Sequence, residues 1–113
     1  SSCQGQLHLL HVLTEMAQHL ANVVKILALQ ESPTVPDPHY MDRQPDISYS
    51  MRAVLVDWLV KVHAASKLRP GTLFLAVHLV DCFLSRWRTK RKHLQLLGIT
   101  ALLVAAKLQH GRR

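Results

Sequence analysis

An all-α fold follows from three observations on this sequence. Apolar residues recur at helical spacing over several long stretches, runs that alternate apolar with polar are few, and the chain is rich in Leu, Val and Ala while only 5% of it is aromatic. That pattern favours helices over sheets. The 113 residues fit one domain, and 49% hydrophobic with 19% charged residues supplies a core and argues against disorder throughout.

The first segment, residues 1–31, carries Leu9, Leu10, Leu13, Met16, Leu20, Val23, Val24 and Leu27, an apolar series that predicts one or two helices from about Leu7 to Gln30. Gly5 and the small residues before it read as a loose end. Residues 32–47 form a proline-rich linker, because Pro33, Pro36, Pro38 and Pro45 each remove a backbone donor and restrain the preceding residue. Asp46, Ser48 and Ser50 then offer N-cap oxygens for a helix over about Ser48 to Lys67. Its stripe runs through positions 51, 54, 55, 58, 59 and 62, with Arg52 and Asp57 set among them and Trp58 at the centre. Pro70 suits the first turn of a further helix, where its missing N–H has no intrahelical partner, and that helix runs through Ser85. The last helix, about His93 to Gln109, has almost no polar side. A helix apolar all round must be surrounded, either by the earlier helices, by another chain, or by elements of a larger domain. Residues 111–113 form a basic tail.

Net charge is +7 and unevenly placed, for every acidic residue lies at or before Asp81 while eight Lys and Arg follow it. The run from Arg86 to Lys92 suits a nuclear-import signal or an acidic partner, but a solvated loop between helices is the preferred reading. No nucleic-acid module surrounds it, so no specific nucleic acid is expected. Cys3 and Cys82 suggest no disulfide framework, the apolar stretch from Leu96 to Ala106 is too short to span a bilayer, and no leader opens the chain. The expectation is a protein of nucleus or cytoplasm, without a membrane. His8 and His11, one turn apart with Cys3 upstream, have permissive but unspecific metal spacing, so no metal or cofactor is expected. There is no phosphate loop or nucleophile elbow, which argues against an enzyme.

Seven motifs in order then carry a resemblance: Tyr40-Met41, Gln44 to Ile47, Met51 to Val60, Thr72 to Val77, Val80 to Ser85, Leu94 to Gly98, and Ala105 to Lys107. Together they resemble the cyclin family, in its mitotic A/B-like branch, over about His39 to Leu108. The resemblance implies an incomplete cyclin-box helical bundle with an N-terminal helix. Residues 48–110 hold box helices one to three of the usual five, with the chain truncated after the third.

It also implies function. Cyclins do no chemistry; the chain is expected to be a regulatory subunit that binds and modulates a cyclin-dependent serine/threonine protein kinase in cell-cycle control, or else a truncated, non-activating interaction protein. Carried over by position, Lys107, Leu108, Val23 and Ile26 would touch the kinase. Met51, Val54, Leu55, Trp58 and Gln95 match the patch by which similar cyclins recruit peptide motifs of substrates and inhibitors. Lys61, where an acidic residue is usual, should repel a basic motif. Arg52 and Asp81 match an internal salt bridge between box helices one and two. Gln109 and His110 replace the family's usual acidic pair, and Cys82 a basic residue.

Overall fold

Among the described residues of a computed structural model there are four helices, α1 (Ser2–Leu29), α2 (Tyr49–Ser66), α3 (Pro70–Arg86) and α4 (Leu94–His110). The structure describes residues 2–29 and 36–110, so the expected tail and the first linker residues lie outside the described residues. Two 3-10 turns, Tyr40–Arg43 and Arg91–His93, precede α2 and α4. Among the described residues there is no strand, and no helix is long and apolar enough to cross a membrane.

The starts and stops have local causes. Ser48 caps α2, its Oγ accepting from Met51 N–H at 3.3 Å. Lys67 ends that helix in left-handed geometry at φ 54° and ψ 36°, a conformation that glycine adopts more cheaply. Pro70 opens α3, as its spacing predicts. The loose N-terminal end does not materialise, because α1 is helical through Gly5, where an added Cβ would meet nothing.

Met16, Leu20 and Val23 of α1 share one helix face and enter the core. They meet Ala76, Leu79, Val80 and Phe83 of α3 and Leu97, Ala101 and Ala105 of α4 within a single cluster. Packing is most extensive between α3 and α4, and α4 also meets α1 and α2. The earlier helices therefore wrap the apolar rod, although not completely, since Leu103 remains 66% exposed. The apolar stripe of α1 likewise outruns the core: Leu7, Leu9 and Leu10 stay in solvent. Phe74, part of the apolar series of α3, also faces outward.

Gly98 lets α2 and α4 approach. A Cβ built there would lie 2.7 Å from Leu55 Cδ1 and 3.4 Å from Leu59 Cδ2. Leu55 consequently sits on the α4 backbone, which fixes the depth of the surface described next.

Candidate functional site

Along α2, Met51, Val54, Leu55 and Trp58 follow the i, i+3, i+4, i+7 spacing that places side chains on one face. That face forms one wall of an open groove of about 490 Å³, completed by Ser50, Arg91, Leu94 and Gln95. The structure thus brings together all five residues expected to share a patch. Leu55 is its buried floor, Val54 is exposed and Trp58 is half-buried. Arg91, contributed by the turn before α4, was not singled out in the sequence and sets a positive charge on the lining. Lys61 is not among the lining residues; it pairs with Asp57 one turn back at 3.2 Å, with both side chains well exposed, so that pair contributes little.

Behind the groove, Arg52 on the same helix turns toward α3. Its Nε and Nη2 donate to the two carboxylate oxygens of Asp81, each at 2.8 Å. Tyr40 Oη donates to the same carboxylate at 2.6 Å. Asp81 therefore ties together α2, α3 and the 3-10 turn of the linker. The bonds to Asp81 push the Arg52 guanidinium further above its already high value. Burial, then the Asp81 bond, pushes the Tyr40 phenol well above its usual range. Each keeps the protonation state it has at neutral pH. Asp81 thus receives three donors and joins these elements.

Gln44 is the other linker contribution. Its Nε2 donates to the carbonyls of Leu84 and Trp87 at 2.7 and 2.8 Å, and its Oε1 accepts from Thr89 N–H at 3.1 Å. One buried amide thereby satisfies groups around the end of α3 that its own helix cannot. A Gln between two prolines carries no sequence signal for that task, because its partners lie forty or more positions away.

The residues expected at a kinase interface divide. Lys107 and Leu108 are exposed on the last turn of α4. Ile26 is half-buried. Val23 must be corrected: at 2% exposure it belongs to the core with Met16 and Leu20, so no partner can reach it in this arrangement. Helical spacing puts Val23 in register with Leu20, and the same spacing turns Ile26 partly away.

Among the described residues no group of three or more His, Cys, Asp or Glu is placed to hold a metal ion. Both cysteines are free; Cys82 is buried, and burial raises its thiol.

Comparison with known proteins gives the family. Residues 22–111 match the family model for the cyclin N-terminal domain. The chain is 42% identical to the G2/mitotic-specific cyclin-B of Emericella nidulans over 93 residues, 82% of this chain and 20% of that protein. It is also 42% identical to the G2/mitotic-specific cyclin cdc13 of Schizosaccharomyces pombe over 94 residues, 83% of this chain and 20% of the relative. Against the G2/mitotic-specific cyclin-A of Hydra viridissima it is 44% identical over 100 residues, 88% of this chain and 24% of that protein. The chain thus spans about a fifth of the length of these relatives. With an all-helical fold and a family match over most of its length, the chain belongs to the cyclin family.

Proposed function

We propose that this chain is a regulatory subunit that binds a cyclin-dependent protein kinase and biases its conformation during the cell cycle, in the nucleus or cytoplasm. The observation that carries the reading is the exposure of Lys107 and Leu108 together at the end of α4, a helix packed against α1, α2 and α3. A rigid rod ending in a cation and an apolar side chain suits the capture of backbone carbonyls and a hydrophobic surface on a partner. Such a partner gains activity when the subunit favours the arrangement in which the Glu of the kinase αC helix reaches its β3 Lys. Equal affinity for both arrangements would shift nothing.

The groove on α2 is the second part of the proposal. Its apolar floor and polar edge suit a short extended peptide with one apolar anchor, with Trp58 and Leu55 as the packing surface and Gln95 at the edge. Arg91 on its lining disfavours a strongly basic peptide.

Mixing the purified chain with cyclin-dependent kinases, and measuring association by calorimetry and phosphorylation of a histone-type substrate, tests the reading. Association with stimulated phosphorylation is the expected result. Association without stimulation identifies a competitor for partners instead, and absence of association with any of the kinases overturns the proposal.

A further inference from the structure

A second concavity of about 370 Å³ lies between α1 and the segment joining α3 to α4, and the patch on α2 has no part in it. From α1 it is lined by His8, His11 and His19, and from the connection by Arg88, Lys90 and His93. Two elements that meet only through folding therefore direct six nitrogen-bearing side chains at one space. The arrangement is held by rings: His19 stacks on Trp87 with centroids 4.1 Å apart, Phe83 closes on Trp87 at 5.0 Å, and His8 stands 6.1 Å from His93. One carboxylate, Glu15, reaches the lining, and it already faces His11 at 3.7 Å. Among the described residues Arg88 and Lys90 have no acidic partner.

We propose that this concavity is a receptor for a single phosphoryl group, carried on a phosphorylated serine or threonine side chain of a partner protein. Charge counting favours the phosphoryl group over a carboxylate. A phosphomonoester brings close to two negative charges, matching the fixed cations Arg88 and Lys90, and three acceptor oxygens that can also take imidazole N–H donors, whereas a carboxylate brings one charge and leaves one of the two cations unmatched. The pocket base is apolar where Val12, Met16 and Phe83 line it, so the paired charges are less screened than on an open surface. Shape disfavours nucleic acid. Successive backbone phosphates call for a basic stripe, while here the cations converge on one depression with Glu15 in its wall.

His93 stands among basic neighbours at the rim of this space. Burial, then Lys92, His8 and Lys90, depress the His93 imidazole below its ordinary value. A dianion between these groups reverses the balance and draws protons onto the imidazoles. The groups facing His93 are His8, His11, Glu15 and His19 from α1 and Arg88, Lys90 and Lys92 from its own segment. Since all but Glu15 are basic, binding tightens as pH falls from about 8 toward 6.5, the ordinary histidine range.

The test is a histidine ring NMR titration of the full chain at constant ionic strength. The probes are inorganic phosphate, a Gly-phosphoserine-Gly peptide, its unphosphorylated counterpart and a single-stranded oligothymidylate. Saturable shifts of the His8, His11 and His93 resonances with the phosphopeptide but not its counterpart are expected, with an upward move in the His93 titration. Inorganic phosphate should compete. The exposed pair Arg88→Ala with Lys90→Ala should weaken the phosphopeptide by at least about tenfold, a loss of about 1.4 kcal/mol. Arg88→Gln alone serves as a milder arm, and each variant's melting curve is compared with the parent. Equal response to sodium chloride, unchanged affinity in a folded variant, or saturation by the oligonucleotide alone overturns the proposal. Response to free phosphate without the peptide overturns the assignment to a phosphorylated side chain.

Discussion

Arg52 and Asp81 stand twenty-nine positions apart in the chain and meet through two parallel 2.8 Å bonds, the geometry that a planar guanidinium offers a carboxylate. Tyr40 adds a third donor to the same group. The pair is only partly buried, with side-chain exposures of 29% and 17%, so solvent screens part of its attraction. Replacing either partner by Ala is expected to cost about 1–3 kcal/mol, because the other is left half-desolvated. In a double-mutant cycle by chemical denaturation, the pair should show a coupling of about 1–2 kcal/mol. Additive losses would show that the two residues contribute independently.

Gln44 should be as sensitive, although it carries no charge. Gln44→Ala leaves the Leu84 and Trp87 carbonyls and the Thr89 N–H without their side-chain partner in a buried place. A loss of about 2 kcal/mol is expected, within the range for stranding buried polar groups. Hydrogen exchange should accelerate first at Thr89; uniform acceleration would mean that the amide does not act locally.

Lys67 can be improved. Its positive φ is a cost to any residue with a Cβ, and the side chain is exposed. Lys67→Gly is expected to raise stability by up to about 1 kcal/mol through relief of the left-handed cap. A lower melting temperature would contradict that account.

Acid should loosen the seat of α1. His93 is held below its ordinary value, so the folded state favours the neutral ring, and the stability this contributes is present above the unfolded value and lost as pH falls. The melting temperature is expected to decline below about pH 6.5, the unperturbed histidine value. His93→Gln should flatten part of that decline, and parallel curves for parent and variant would remove His93 from the explanation.

Local signals made the helices readable. The prolines, Ser48 and the apolar spacing all act within a few residues of the structure they specify, and the boundaries of α2, α3 and α4 follow them closely. Spacing likewise put Met51, Val54, Leu55 and Trp58 on one face of α2, whereas their reading as a patch, together with Gln95, entered by resemblance. Long-range partners were not legible. Nothing near Gln44 announces the end of α3, and nothing near Arg91 announces the groove it borders. The Val23 misassignment has the same origin: an apolar helix face can be recognised from spacing, but whether a core or a partner covers it depends on which helices arrive there.

The most direct test of a kinase-binding role measures the affinity of the parent and of Lys107→Ala for the same cyclin-dependent kinase, by calorimetry at matched temperature and salt. Lys107 is exposed and does not belong to the core, so the fold should survive the change. The affinity is expected to fall by about tenfold or more, as for loss of a charged hydrogen-bond donor at an interface. Equal affinities for the two proteins would contradict the assignment of the α4 terminus to the kinase.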